Sequence, residues 1–250
     1  MKSIDRKHSL AGVDVDKIVK ESIRNNPVIA DFGSRSTFNE GFPLNESYVA
    51  EPKQFKQVSE FVSQKTKSAH LEKYKNYIDA LNDVSSELDS VDRSSVNNRN
   101  SEFRSLKIDE TWNLNAVWLH ELYFSNCFDP NSEIVMDSMS FMRLQRDFGT
   151  FDDWQRDFMA CALASRGGWA VCGYHMFLRK YVNFFIDEHS QGVPIGFFPL
   201  IVVDMWEHAY YKDYLNDAKS YLVAQMREFN WTVIEERFKR AEAISAAVKS

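Results

Sequence analysis

The run GFFPLIVVDMWEHAYYKDYL, residues 196–215, decides how this chain is read. From Phe197 to Val203 it is apolar throughout, bounded by Gly196 and Asp204, the pattern of a short strand buried on both faces. Beyond Asp204 the chain turns and the apolar spacing becomes helical, from Ala209 through Tyr214 and on along AYYKDYLNDAKSYLVAQMREF. An Asp at a strand end and His208 four residues later converge on one point because the chain bends between them. Imidazole nitrogen and carboxylate oxygen together suit a first-row transition metal better than magnesium or calcium. Asp-x-x-x-His is also a common spacing, and a lone histidine on an apolar helix face is ordinarily a hydrogen-bonded core residue, so the run needs its neighbours before it means anything.

Upstream, WAVCGYHMFLRKYVNFFID (169–187) follows the stop signal Arg166-Gly167-Gly168 and reads as two strands. Before it lie helical stretches near Ser138–Phe148 and from Thr150, a capping residue with an acidic first turn behind it, to Ser165. The first half is helical. From Phe55 to about Ser90 the residues His70, Tyr74, Tyr77 and Leu81 stand at i, i+4, i+7 and i+11, on one face. The polar stretch 85–105 reads as a loop or fraying helix end. A second helix, about Asp109 to Cys127, turns Trp112, Ala116, Leu119, His120 and Tyr123 inward, closing an αα-hairpin. A terminal helix covers WTVIEERFKRAEAISAAV. The fold class is therefore α+β: a helical hairpin over 49–128, then a C-terminal α/β domain over 129–250 with a small three-stranded antiparallel sheet. Residues 1–48 read as a separate arm. Seven basic and seven acidic residues make it neutral, only 13–23 has helical spacing, and the rest is turn-rich, suited to lying on a surface of its own chain or of an assembly partner.

The 250 residues are 44% hydrophobic and 26% charged, enough to bury a core. A net charge of −6 argues against nucleic acid as a partner. No apolar run approaches the roughly 18 residues a membrane span needs. The opening MKSIDRKHSLAGVDVDKIV has no long apolar stretch, and the three cysteines (Cys127, Cys161, Cys172) have no CxxC spacing, which together fit a cytoplasmic protein with reduced thiols.

Four segments resemble the iron/manganese superoxide dismutases, in the family's order. DMWEHAYYKDYL is similar to the Asp-x-Trp-Glu-His-Ala-Tyr-Tyr signature. NLNAVWLHELYFSN is similar to the second-helix segment with the second His ligand. DFGTFDDWQRDFMACALASRGGWAV is similar to the segment ending in a glycine-glycine-tryptophan turn, and FVSQKTKSAHLEKYKNYIDALN to the first-helix segment. The resemblance runs from about residue 50 to the C-terminus and implies one iron or manganese ion per subunit, held by His70, His120, Asp204 and His208. It implies Tyr77 as the tyrosine guarding the substrate channel; Trp118, Trp169 and Trp206 as aromatic residues lining or backing the metal pocket; and Glu207 and Tyr211 at a homodimer interface, within a dimer or a larger homo-oligomer. The implied activity is the disproportionation of superoxide to oxygen and hydrogen peroxide.

This chain departs from the best-known members in three ways. The spacing from His70 to Tyr77 is one residue shorter, with Tyr74 near where those members keep a further histidine, a pattern found in a subgroup. Ala116 stands where iron-type members carry a Gln against the metal-bound solvent, which leaves His189 or Gln191 for that place, His189 being favoured because a His precedes the GVPxGF segment in some relatives. The arm has no counterpart. Because an anionic substrate meets a net negative protein, local cations must focus it, with Lys73 and Arg166 as candidates. The rival reading is a non-catalytic structural or assembly protein reusing the fold. Retention of all four ligand positions with Tyr77 and Glu207 weighs against it, since a scaffold gains nothing by burying an Asp among three His.

Overall fold

A computed structural model describes residues 49–249, with side chains to 247, so the arm 1–48 and its helix at 13–23 lie outside the described residues. The chain enters as an extended strap, Ala50 to Val62, rather than the helix expected from Phe55. The strap's backbone groups are taken up by side chains and by main chain from elsewhere, which a helix could not allow. Asn82 brackets Ala50, accepting its N–H at 2.7 Å and donating to its carbonyl at 3.0 Å. The Val58 N–H reaches the Phe128 carbonyl at 2.9 Å.

Helix α1 (Gln64–Ser90) starts where Ser63 can cap it, its hydroxyl accepting the Thr66 N–H. Helix α2 is Glu102–Cys127. Both run further into the polar stretch 85–105 than its composition suggests. Val84, Leu88 and Val91 bury against Leu106 in a small apolar cluster of their own, which rewards keeping both helix ends wound. Only the segment between Ser90 and Glu102 is loop.

Helices α3 (Met139–Phe148) and α4 (Phe151–Ala164) are divided by Gly149, at φ 95°, and by Thr150, which caps α4 on the Asp153 N–H. Strands β1 (Trp169–His175), β2 (Lys180–Ile186) and β3 (Phe197–Asp204) form one antiparallel sheet in the order β2-β1-β3. Its register pairs Trp169 with Asp204 on one side and with Ile186 on the other. Gly168 cannot be replaced there, since a Cβ would fall 1.8 Å from the Ile186 carbonyl oxygen. Helices α5 (Glu207–Tyr214), α6 (Ala218–Arg227) and α7 (Trp231–Lys249) follow. One continuous apolar cluster joins hairpin residues such as Tyr74 and Phe124 to Val202 and Val203 of β3 and Phe238 of α7. It holds the hairpin against the strand end at Asp204. Among the described residues no helix is long and apolar enough to cross a membrane.

Candidate metal centre

Four side chains from four places in the chain meet in the core. α1 supplies His70, α2 supplies His120, the end of β3 supplies Asp204 and the first turn of α5 supplies His208. One ligand atom of each lies within 4.8 Å of all the others. Asp204 Oδ2 is the common point: His70 Nε2 stands 3.0 Å from it, His208 Nε2 3.3 Å and His120 Nε2 3.8 Å. His70, His120 and Asp204 are fully buried, and His208 keeps one side open.

Local structure orients each group. Asp204 Oδ1 accepts the Trp206 N–H at 2.8 Å, and the Asp204 backbone carbonyl accepts the Tyr221 hydroxyl at 2.8 Å, leaving Oδ2 to face the imidazoles. Tyr221 is itself tied to Tyr123, 3.2 Å away on α2. The His120 Nδ1–H donates to the Ala116 carbonyl one turn back at 2.6 Å. That fixes the tautomer, so Nε2 carries a bare lone pair aimed at the cluster. Neither His120 Nε2 nor His208 Nε2 has a hydrogen-bond partner, although both are buried.

The charge states suit ligation. Burial pushes His70 and His120 below the ordinary imidazole value, with neighbouring His70 adding to the effect on His120. Burial alone would raise the Asp204 carboxyl, but the facing His208 and His70 hold it well below the usual carboxylate range. Three imidazoles and one carboxylate, with the Nε2 atoms of His120 and His208 left unpartnered, are a donor set for a transition cation. Without a cation, the bare Nε2 lone pair of His120 would face a carboxylate in the buried core, which is unfavourable.

His189 is fully buried beside this cluster, and its ring makes two defined contacts. The Trp169 Nε1–H donates to Nδ1 at 3.1 Å, and Nε2 lies 3.0 Å from the Tyr77 hydroxyl. Indole nitrogen can only donate, so Nδ1 is the acceptor and the proton of neutral His189 sits on Nε2. His189 therefore donates to the Tyr77 oxygen, and the Tyr77 proton is left free to be given elsewhere. Burial holds His189 neutral, its pKa lowered to about 4. Burial, with the Asp204 charge behind it, pushes Tyr77 up to about 12. The other residue considered for this place, Gln191, lies on the exposed turn, where its carbonyl accepts the Asp187 N–H.

Trp169 stands edge-on to His120 at 4.9 Å between ring centres, and Trp206 lies parallel to His208 at 6.1 Å. Trp118, expected to line or back the pocket, lies away from the four clustered side chains. It is 43% exposed on the outer side of α2, and its ring meets Phe198. Tyr74 is buried against His120, and its hydroxyl donates to Glu121 at 2.9 Å, away from the ligand atoms. Lys73 extends over the Tyr77 ring, its ammonium 5.4 Å from the centroid. Arg166 is exposed and gives its backbone N–H to Asp187. Glu207 and Tyr211 both face outward on α5.

Three supporting residues went unassigned by sequence reasoning. Trp112, read only as inward-facing, stands edge-on to His189 at 4.8 Å. The Asn115 side-chain amide donates to the His189 carbonyl at 2.9 Å. Tyr221 holds the Asp204 carbonyl. All three act across long sequence separations that leave no local signal.

The family profile described as iron/manganese superoxide dismutases, C-terminal domain, matches residues 138–237. The chain is 36% identical over 179 residues to a protein named superoxide dismutase [Fe] from Aquifex pyrophilus, an alignment covering 70% of this chain and 83% of that one. It is 40% identical over 123 residues to a superoxide dismutase [Mn] from Nocardia asteroides, covering 49% of this chain and 59% of the relative.

Proposed function

The chain belongs to the iron/manganese superoxide dismutase family, and from that premise we propose that it disproportionates superoxide with one iron or manganese ion held by His70, His120, Asp204 and His208. The observation that carries this reading is the pair of buried, unpartnered nitrogens, His120 Nε2 and His208 Nε2, facing the Asp204 carboxylate. When bound, either metal supplies a one-electron couple between its trivalent and divalent states, which zinc lacks. Two superoxide ions and two protons thereby give one oxygen and one hydrogen peroxide.

The protein's own groups do the rest. Asp204, ionised among the imidazoles, supplies the anionic ligand that favours a cation there. His189, locked as its Nε2–H tautomer by Trp169, holds the Tyr77 oxygen and turns the Tyr77 proton toward incoming substrate. With its pKa near 12, Tyr77 keeps that proton until peroxide needs it. Trp169 and Trp206 keep bulk water from the ligands. Lys73, above the Tyr77 ring, offsets the net charge of −6 where an anion must enter. Glu207 and Tyr211, outward beside the ligand turn, suit a two-fold homodimer in which each WEHAYY segment faces its copy.

The test is elemental analysis of the purified protein alongside superoxide consumption. One iron or manganese ion per subunit, with consumption abolished when zinc replaces it, supports the reading. Full iron or manganese occupancy without consumption defeats it.

A further inference from the structure

The loop between α1 and α2 and the first turns of α2 line an open surface groove of about 650 Å³ that the metal centre does not use. Its apolar lining is Val96, Ile108 and part of Phe103, and Ser190, the residue after His189, lines it too. Phe103 also packs on the small apolar cluster and carries the Arg93 guanidinium 5.4 Å from its ring centre. Val96 and Ile108 are 46% and 49% exposed, so they serve the groove and not the core. The two charged residues on the wall, Arg104 and Lys107, are both basic and lie three residues apart on one face of α2. The Arg104 Nε–H donates to the Asn98 carbonyl at 3.2 Å, which fixes the guanidinium at the rim. Among the described residues its terminal nitrogens meet no protein acceptor. Lys107 is shared with Glu110, at 2.8 Å. The rim is preformed, because the Asn97 side-chain oxygen accepts the N–H groups of Arg99 and Asn100 at 2.9 and 3.0 Å.

We propose that this groove binds an amphipathic organic anion: a carboxylate or sulfonate on an apolar body, its charge on Arg104 and Lys107 and its body on Val96, Phe103 and Ile108. The volume lies within the roughly 300–1,000 Å³ of small-molecule sites, which are mostly apolar with a few placed polar groups. A guanidinium with its fork open is the group that takes a carboxylate or sulfonate in two-point contact. A bare inorganic anion leaves the apolar wall unused. A nucleic acid would need a wider basic surface than two cations on a net-negative chain.

Titration of the metal-loaded, full-length protein with anilinonaphthalene sulfonate, read by fluorescence and by displacement with octanoate, tests this. The expected result is one saturable site per subunit, displaced by octanoate and not by acetate. Binding should weaken about tenfold in Arg104→Ala, as loss of a charge-assisted hydrogen bond predicts, and comparably in Ile108→Ser. Phe177→Ser and Ile195→Ser, which remove the exposed apolar side chains of Phe177 and Ile195 outside the groove, should bind as the wild type does. Absence of saturation, wild-type affinity in Arg104→Ala or in Ile108→Ser, displacement by acetate, or loss of the signal through Phe177→Ser or Ile195→Ser would each overturn the proposal. Lys107→Ala, on the exposed side of α2, repeats the charge test should Arg104→Ala fold poorly.

Discussion

Asp204 divides its two carboxylate oxygens between structure and chemistry: Oδ1 closes the turn on the Trp206 N–H, and Oδ2 faces three imidazoles. Asp204→Asn keeps the turn and removes the charge. Metal content by mass spectrometry should then fall about tenfold or more, since even residues behind a ligand commonly matter that much, and a variant with full occupancy would contradict the ligand assignment. His189 gives a sharper contrast. A glutamine there can accept from Trp169 through its carbonyl and donate to Tyr77 through its amide, whereas alanine can do neither. His189→Ala should lower turnover roughly 10–100-fold with metal retained, while His189→Gln should restore most of it. Equal activity in the two variants would mean that the hydrogen bond to Tyr77 does nothing. The four residues that cluster were legible in sequence through the resemblance, because each sits inside a distinctive local run. Trp118 was not, because its outward orientation depends on how α2 rolls against β3, and the hydroxyl of Tyr74 was not, because its partner Glu121 is on another helix.

At the level of elements, the three strands were legible from loose alternation, an apolar run and the bounding turn signals, and the hairpin from helical spacing, while the strand order β2-β1-β3 left no local signal. The helix limits were not, for two physical reasons. The segment before Ser63 has apolar spacing compatible with a helix, but its backbone is engaged by Asn82, Tyr74, Asp129 and Phe128 across the fold. The polar stretch 85–105 is kept helical at both ends by a small apolar cluster whose members lie on two helices. A third junction joins α3, β2 and α7. Arg143 holds Glu242 through two hydrogen bonds, at 2.8 and 3.1 Å, and the Tyr181 hydroxyl donates to the same carboxylate at 2.7 Å. Burial opposes ionisation of Glu242, but these donors outweigh it and hold its pKa below the ordinary 4.5. A depressed folded value means that the group stabilises the fold above the unfolded pKa and loses that contribution as pH falls through the folded one. The melting-temperature difference between wild type and Glu242→Gln should therefore be constant near neutrality and shrink below about pH 4.5. A difference that stays constant down to pH 3 would show that the junction carries no charge-dependent stability.

For the whole molecule, the four proposed ligands and their supports all lie beyond residue 69, while the turn-rich arm precedes the described fold. We propose that the arm serves assembly and not the metal centre. Deleting residues 1–45 should leave metal content and superoxide consumption near wild type, and sedimentation should show loss of any species larger than a dimer. A truncated protein that is folded and metal-loaded but inactive would place the arm in the active site. The central claim is that the buried cluster of three histidines and one aspartate makes this chain a redox catalyst. It is tested most directly by following superoxide disappearance in stopped flow against the iron or manganese bound per subunit. The account predicts a rate proportional to bound metal, extrapolating to the uncatalysed background at zero occupancy. A rate that stays at background with the site fully loaded would contradict it.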